Sequence, residues 1–374
     1  MPIYVTRSSM PSIDDFLEEV KPIFESHMLT NMGPIYKKLQ AQLTAYLGVP
    51  ELSLFANGHL ALEMAIQALG LKEAGERLGG GEVITTPFTF VSTAHAISRN
   101  NLKPVFCDIR REDYCMDPDK IEELITDKTV GIVPVHVYGN ICDVERIGDI
   151  AKRHGLKVIY DGAHAFGEKC RGQGVGNFGD ATMFSFHATK VFNTVEGGAV
   201  AFRDKRYAAP LHELKNFGIH SEEEVCSVGA NAKLDEFRAA MGLCNLRRMD
   251  QCIEARKLVH DRYFARLGGV EGIALRPAQE ALSPNYAYFP VRFDKEKFGK
   301  SRDDVFEELR ERDIHSRKYF YPAVNEMECY RGLGGAPTPV AHDAAANILT
   351  LPIYEGLALE DADRICDIIL GKKP

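Results

Sequence analysis

Short apolar runs alternate with amphipathic segments along the first 245 residues, at the spacings typical of strands and helices. Helices are predicted after most of these runs, including one after Asp117 and one after Asp143. The alternation is typical of α/β proteins and predicts a largely parallel sheet that is covered by helices on both faces. We predict strands at 52–56, 82–85, 104–107, 130–135 and 157–160, from 181, and at 199–202.

From about residue 232 the pattern changes to a long helical stretch that is followed by short mixed elements. Apolar positions continue at helical spacing from Leu234 toward Leu267, which predicts one helix that connects two domains. We therefore predict a large domain over residues 1–245 and a smaller α+β domain over residues 246–374. Beyond the helix, the smaller domain is predicted to contain an extended segment at 286–293, a helix at 303–311, a strand at Ile314 and a closing helix at 359–369.

Composition excludes several classes of partner. The 374 residues are 45% hydrophobic and 26% charged with a formal net charge of −8, so no general basic surface for nucleic acid is expected. No apolar run approaches about 18 residues and no charged and apolar leader is visible, which predicts a cytoplasmic protein without a membrane segment. Nine cysteines and twelve histidines lack metal-ligand spacing, so reduced thiols and no metal site are expected.

Residues 181–198 read as a buried strand, a tight polar turn with one lysine, and a glycine-marked turn into the next strand. Lys190 follows a strand end, where partial desolvation weakens the preference of an amine for its charged form. A lysine in this state can act as a nucleophile toward an aldehyde cofactor. A solvated surface lysine is the alternative, and the turn alone does not decide between them.

A second candidate group follows the apolar run 157–160. In an open α/β sheet ligands gather beyond the carboxyl ends of the strands, so Asp161 and Lys190 can share one crevice. Pyridoxal phosphate (PLP) requires such a pair, because the lysine binds its aldehyde and the carboxylate keeps its pyridine nitrogen protonated. Taken singly, a strand-end aspartate is more often a helix N-cap or a turn residue.

A PLP site also requires a phosphate cup and a surface for the ring. The turn Asn57-Gly58-His59 joins a predicted strand to an apolar helix, and helix N-termini bind phosphate through free backbone N–H groups. Every βα junction offers some of this, so the turn is informative only beside the lysine and the carboxylate. Phe90, at another βα corner, is a candidate for stacking on a flat heterocycle, with a packed core residue as the alternative.

Together these segments resemble the DegT/StrS family of nucleotide-sugar aminotransferases, which belongs to the fold-type I PLP enzymes of the aspartate aminotransferase superfamily. The resemblance covers essentially the whole chain, and the combination of motifs is specific although each piece is common. It implies a mainly parallel seven-stranded sheet flanked by helices in the large domain, and a smaller α+β C-terminal domain. It also implies PLP as the cofactor, converted to pyridoxamine phosphate in the first half-reaction.

The motifs of this family imply roles for individual residues. The turn S-F-x-x-[ST]-K implies that Lys190 is the Schiff-base lysine and that Ser185 binds the phosphate. The motif D-x-A-[QH] implies that Asp161 pairs with the pyridine nitrogen and that His164 lies at the 3′-hydroxyl of the ring. Both motifs follow predicted strands, as their roles require.

Three further motifs complete the implied cofactor site. The first, N/S-G-T-x-A-L, implies phosphate contacts from the backbone of Gly58 and His59, although His59 stands where relatives usually carry threonine. The second, P-x-T-[FWY]-V, implies that Phe90 stacks on the ring. The third, G-x-N-x-[KR], implies that Asn231 reaches the phosphate of the neighbouring subunit, so that a homodimer shares its active sites.

The resemblance implies transfer of an amino group from L-glutamate to a nucleotide-linked keto sugar. Residues 29–34 and 187–198 are most similar to enzymes that convert dTDP-4-keto-6-deoxy-D-glucose to dTDP-4-amino-4,6-dideoxy-D-glucose for surface polysaccharide such as lipopolysaccharide O-antigen. A 3-keto isomer and a UDP- or GDP-linked sugar stay open. The related sugar dehydratases are disfavoured, because they carry histidine where Lys190 stands.

Substrate contacts are expected from Asn31, His187 and the segment 317–321. In this segment Arg317, Tyr319 and Tyr321 offer a cation and aromatic surface, with an ordinary strand and turn as the alternative. Asn31 could equally lie in a plain helix–helix connection, and His187 is either an additional acid–base group or a turn residue. A non-catalytic ligand-sensing protein on the same fold is the alternative of another class, and it predicts loss of the lysine or the carboxylate.

Overall fold

A seven-stranded sheet forms the centre of the computed structural model, which describes residues 2–276 and 279–372. In chain order its strands are β1 Glu51–Phe55, β2 Gly81–Thr85, β3 Leu102–Phe106, β4 Thr129–Val133, β5 Lys157–Asp161, β6 Ala181–Ser185 and β7 Gly198–Phe202. The order across the sheet is β1-β7-β6-β5-β4-β2-β3; β7 runs antiparallel to both of its neighbours and the other pairs are parallel. The prediction of a mainly parallel seven-stranded sheet is confirmed.

Helices cover both faces of this sheet. Successive side chains of a strand point to opposite faces, so Met183 and Phe184 of β6 belong to two different buried clusters. The cluster of Met183 includes the helix Gly58–Ala68, and that of Phe184 includes the helix Pro34–Leu47. This double coverage explains why the strands read as continuous apolar runs. The helices of this region are α1 Ile13–Ser26, α2 Pro34–Leu47, α3 Gly58–Ala68, α4 Leu71–Arg77, α5 Ser92–Ser98, α6 Val144–His154, α7 Ala208–Leu214 and α8 Glu236–Arg247.

The predicted helix after Asp117 is absent, and two 3₁₀ turns, Pro118–Lys120 and Glu122–Leu124, occupy its place. The Asp117 side chain accepts a hydrogen bond from the N–H of Asp119 at 3.0 Å and so caps the first turn. The segment must return the chain to the start of β4, and single turns of this length gain little helical cooperativity.

The C-terminal region has its own sheet and its own buried cluster. Its elements are β8 Ile273–Leu275, β9 Phe289–Phe293, β10 Ile348–Leu351, α9 Met249–Leu267, α10 Lys295–Phe298, α11 Arg302–Arg310, α12 Pro339–Asn347 and α13 Leu359–Ile369. Strands β8, β9 and β10 form an antiparallel sheet in that order, with Val291 and Leu349 packed in one core with Ile365. This mixture of helices and an antiparallel sheet agrees with the predicted α+β character.

The predicted connecting helix is divided at Arg248, which has φ −104° and ψ 3° between α8 and α9. The backbone N–H of Arg248 donates to the carbonyl of Asn245, three residues back, rather than to the carbonyl four residues back as in an α-helix. This tightens the last turn of α8. The break lies close to the predicted domain boundary at residue 245, which stays a prediction. The N-terminal strand Ile3–Tyr4 pairs with Ile314–His315, so the first residues lie with the C-terminal region. No helix of the described residues is long and apolar enough to cross a membrane.

Candidate active site

A cavity of about 620 Å³ lies beyond the carboxyl ends of the parallel strands. Residues that follow β1, β2, β4, β5 and β6 form most of its wall, and the C-terminal region contributes the remainder. This is the edge at which ligands of open α/β sheets bind. Of the predicted site residues the cavity is lined by Gly58, His59, Phe90, Asp161, His164, Ser185, His187, Lys190, Arg317 and Tyr319.

Three predicted site residues do not line the cavity. Asn31 and Asn231 are exposed at the surface, and Asn231 forms a β-bridge with Asn216. Tyr321 lies outside the cavity lining with its ring 5.0 Å from the guanidinium of Arg302, and its contact with substrate stays a prediction. The role of Asn231 toward a neighbouring subunit stays a prediction.

The amine of Lys190 is held half-buried at the cavity wall. Its Nζ donates a hydrogen bond to the hydroxyl of Tyr288 at 3.2 Å and lies 5.7 Å from the centroid of that ring. The turn itself is closed by the Lys190 N–H, which donates to the carbonyl of His187 at 2.9 Å. Within the described part of the chain the amine forms no ion pair, so its reactive atom is free to bind an aldehyde.

Asp161 is a buried carboxylate at the end of β5, with 5% of its surface exposed. Its two oxygens accept hydrogen bonds from the hydroxyl of Thr93 at 2.8 Å and from the N–H of Ala163 at 3.0 Å. Burial raises the pKa of Asp161 above its ordinary value, although both hydrogen bonds and the charge of Lys190 oppose the shift. A cationic partner in the cavity, such as a protonated ring nitrogen, would stabilise the charged carboxylate.

The N-terminus of α3 forms a cup at one end of the cavity. Asn57 caps the helix by accepting the N–H of Leu60 at 2.8 Å, while the N–H groups of Gly58 and His59 have no partner among the described residues. A Cβ on Gly58 would lie 2.8 Å from Cβ of Ser185, so glycine is required for this close approach. Two free N–H groups and a hydroxyl therefore converge, which suits a phosphate.

The imidazole of His59 is turned toward its neighbours on α3 and α5. Its Nδ1 lies 2.9 Å from the hydroxyl of Ser92, and its Nε2 lies 3.7 Å from the carboxylate of Glu63. Burial lowers the pKa of His59, with the carboxylate opposing the shift. The side chain is thus engaged on both nitrogens, and the backbone N–H of His59 is the group left for a phosphate.

His164 is a buried neutral histidine with a defined tautomer. Its Nδ1 accepts the N–H of Tyr138 at 3.0 Å, so the ring proton is assigned to Nε2. Burial holds the pKa of His164 well below its ordinary value. The ring lies parallel to that of Phe320 at 5.8 Å, and its Nε2–H can donate to an oxygen at the edge of a bound ring.

An exposed aromatic ring and a charged rim complete the cavity. Phe90 leaves 57% of its surface exposed, whereas Phe88 of the same corner is fully buried and packs against Tyr138. At the rim Nε2 of His187 lies 3.6 Å from the carboxylate of Glu196, and both side chains are partly exposed. The geometry therefore places Phe90 where a flat heterocycle can stack on it.

Some residues of the site were not predicted. Thr93 lies three residues after Phe90 in the same βα corner, so the position of that corner could have indicated it. Tyr288 comes from a segment 98 residues away from Lys190 and belongs to no local motif. Glu196 also lines the cavity without having been named, whereas Phe320 lines it from within the predicted segment 317–321.

A lysine amine, a buried carboxylate, a helix N-terminus and an exposed aromatic ring surround one cavity, and the carboxylate forms no ion pair with any residue that the structure describes. These groups fit an aldehyde, a pyridine nitrogen, a phosphate and a flat ring respectively, which defines the site of a PLP-dependent enzyme of the α/β class. The model of the DegT/DnrJ/EryC1/StrS aminotransferase family matches residues 12–370. The chain belongs to this family, and the predicted resemblance and cofactor are confirmed.

Similar proteins support the same assignment. The chain is 40% identical over 370 residues to a dTDP-4-amino-4,6-dideoxy-D-glucose transaminase from Shigella dysenteriae, covering 98% of each chain. It is 41% identical over 376 residues to the transaminase of the same name from Escherichia coli, covering 99% of this chain and 98% of the other. The solved structure of DesI in the presence of its TDP-sugar product superposes with a TM-score of 0.93 at 33% identity, covering 99% of this chain and 92% of that one.

Proposed function

We propose that this aminotransferase moves an amino group from L-glutamate to dTDP-4-keto-6-deoxy-D-glucose and so forms dTDP-4-amino-4,6-dideoxy-D-glucose. The observation that carries the proposal is the identity of 40 and 41% to two transaminases named for this sugar, over nearly the whole length. Retention of Lys190 and Asp161 in one cavity disfavours the non-catalytic alternative.

The residues of the cavity divide the work between binding and proton transfer. When bound, PLP supplies the electron sink. Asp161 keeps the ring nitrogen protonated and His164 donates to the ring oxygen. Lys190, once its amine is free, would take the proton from the α-carbon of glutamate in the first half-reaction and deliver a proton to the sugar carbon that receives the amine in the second.

Phosphate and ring contacts hold this arrangement in place. The N–H groups of Gly58 and His59 and the hydroxyl of Ser185 bind the phosphate, and Phe90 packs on the ring. At the rim His187, Arg317 and Tyr319 are proposed to contact the nucleotide sugar. They present an imidazole, a cationic guanidinium and an aromatic ring, respectively, to the opening of the cavity.

A homodimer with shared sites belongs to the same proposal. Asn231 lies outside the cavity of its own chain, on a segment that exposes Phe217, Val225 and Val228 by 50, 67 and 90%. Apolar residues this exposed are typical of a surface that a second copy covers.

A cytoplasmic location and a role in O-antigen synthesis are also proposed. The location is in keeping with cysteines that are unpaired throughout the described residues.

The test is the visible absorbance of the purified, PLP-loaded protein. L-glutamate is expected to bleach the band, and dTDP-4-keto-6-deoxy-D-glucose to restore it. UDP- and GDP-linked keto sugars and the 3-keto isomer form the comparison panel. Lys190→Ala is expected to keep the fold, because the side chain ends at the cavity wall, and to show neither change. Recovery with another sugar of the panel would overturn the substrate, and no bleaching with any amino donor would overturn the aminotransferase reaction.

A further inference from the structure

The amine of Lys190 is held by a side chain from the C-terminal region. Tyr288 lies immediately before β9, is 8% exposed and lines the cavity. Its hydroxyl accepts the hydrogen bond from Nζ of Lys190 at 3.2 Å, the one hydrogen bond found for that amine among residues 2–276 and 279–372. The centroid of its ring lies 5.7 Å from the same nitrogen.

The ring of Tyr288 is wedged between other aromatic side chains. The centroid of its ring lies 4.7 Å from that of His164, with an interplanar angle of 61°. The ring centroids of Tyr138 and Tyr319 lie at 5.8 Å and 6.0 Å. Contacts on several sides leave the phenol little freedom of rotation. A phenol that cannot move provides a fixed point for the flexible side chain of Lys190.

The backbone that carries Tyr288 is fastened to the loop after β5 by the amide of Asn285. The side chain is 1% exposed, and its Nδ2 donates to the carbonyls of His164 at 2.9 Å and Phe166 at 3.1 Å. Its Oδ1 accepts the N–H of Ala287 at 2.9 Å, and its own N–H donates to the carboxylate of Glu168 at 3.1 Å. Displacing the tyrosine would therefore break several buried hydrogen bonds at once.

A pair of short strands also connects the segment before Tyr288 to the loop after β5. Leu282–Ser283 pairs as a short antiparallel strand with Lys169–Cys170, which lies just beyond Glu168. The segment before Tyr288 is thus tied at two places to the loop that begins at Asp161. The carboxylate, the neutral histidine and the phenol consequently form one unit, although the chain separates them widely.

We propose that Tyr288 is a positioning residue for the amine of Lys190 and that Asn285 holds the tyrosine in register with the loop after Asp161. The inference rests on the proposed function, because it concerns the lysine during proton transfer. A free amine on a four-carbon side chain samples many rotamers, and a hydrogen bond to a fixed oxygen selects those that face the substrate carbon. The phenol oxygen also stabilises the ammonium that forms when the amine takes up the proton.

Tyr288→Phe removes the hydroxyl and keeps the ring packing. The rate at which L-glutamate bleaches the absorbance of the PLP-loaded enzyme is expected to fall roughly 10- to 100-fold, with the glutamate concentration for half-saturation changed by less than about twofold. The acidic limb of the pH–rate profile should move to lower pH, because Tyr288→Phe removes the oxygen that accepts the hydrogen bond from the amine. If Tyr288 only supported the fold, Tyr288→Phe would not shift the pH–rate profile. It would also not lower the bleaching rate while leaving the half-saturating glutamate concentration unchanged.

The matched control is Tyr286→Phe, the same chemical change two residues earlier, at a tyrosine that does not line the cavity. It is expected to leave the bleaching rate and the pH profile unchanged. Asn285→Ala should reproduce the effect of Tyr288→Phe, and the double variant should be little slower than either single one, because both act on the same amine. Additive losses in the double variant would overturn the role given to Asn285.

The outcomes separate this inference from the function on which it rests. If L-glutamate bleaches the wild type and Tyr288→Phe responds at the same rate with an unshifted profile, the inference is overturned and the proposed function stands. If no amino donor bleaches the wild type, both are overturned. A rate loss with the shifted limb in Tyr288→Phe, and none in Tyr286→Phe, supports the inference.

Discussion

At the scale of single residues, burial decides which groups are suited to chemistry and which hold the fold. Asp161 and Lys215 are both buried ionisable groups, but Asp161 lines the large cavity whereas Lys215 faces the opposite end of the sheet. The Lys215 amine donates to the hydroxyls of Tyr36 at 2.8 Å and Ser53 at 2.9 Å and to the carbonyl of Leu54 at 3.2 Å. All three partners of the amine belong to the buried fold, so we assign it a structural role.

This lysine predicts a pH dependence of stability. Burial lowers the pKa of Lys215 to about 7 from an ordinary 10.5. Between these values the unfolded chain binds a proton that the folded chain lacks, so the free energy of unfolding rises with pH, by up to about 1.4 kcal/mol per pH unit. Below about pH 7 both states are protonated and the cost of the buried charge is constant.

Lys215→Met is expected to remove this contribution, so that stability rises less between pH 7 and 9 in the variant than in the wild type. Urea unfolding at both pH values, with cofactor and protein concentration held fixed, measures the difference. Lys37→Met is the control, because it removes an exposed lysine that lines the same surface cavity as Lys215. Equal pH dependence in the wild type and Lys215→Met would contradict the prediction.

At the scale of elements, local pattern predicted the strands and most helices because their apolar periodicity arises from neighbours in the chain. Contacts between residues that are far apart in the chain could not be predicted from this local pattern. The long apolar pattern from Leu234 to Leu267 conceals the break at Arg248, whose side chain reaches Glu355 at 2.6 Å. In the same way the motifs around Lys190 indicated the cofactor site, whereas Tyr288 reaches it from another region and carries no local signature.

Helix α2 shows what such a distant contact contributes. Its N-cap is Gly33, which has no capping side chain, and the carboxylate of Glu236 in α8 serves instead. The two oxygens of Glu236 accept the N–H groups of Ile35 at 2.8 Å and Tyr36 at 3.1 Å, and the side chain is 1% exposed. A negative charge at a helix N-terminus also interacts favourably with the helix dipole.

Glu236→Ala is expected to destabilise the protein by about 2 to 3 kcal/mol, because it leaves two buried N–H groups unpaired. Glu236→Gln keeps one acceptor oxygen and should lose roughly half as much. Urea unfolding at neutral pH measures both changes. Glu18→Ala on the exposed face of α1 is the control, and equal stability of Glu18→Ala and Glu236→Ala would show that α2 does not depend on this carboxylate.

At the scale of the whole molecule, the single chain accounts for the lysine, the carboxylate and the phosphate cup but leaves Asn231 outside its own cavity. The exposed segment that carries Asn231 also presents apolar side chains to solvent. Both observations are explained if the segment crosses to a second copy. The sequence motif predicted this role, but a pattern within one chain contains no information on where the other chain lies.

Complementation between two inactive variants tests the shared site. In a dimer that combines Lys190→Ala with Asn231→Ala, one cavity keeps the lysine of one subunit and the asparagine of the other. In a random mixture half of the dimers contain one copy of each variant, and each of these has one intact cavity out of two. About a quarter of wild-type activity is therefore expected at limiting PLP. If Asn231 serves its own chain, no mixed dimer has an intact site and the activity stays at the sum of the two variants. The matched control mixes wild type with the Lys190→Ala, Asn231→Ala double variant, where mixed dimers lose both sites and the activity should fall to about a quarter rather than a half.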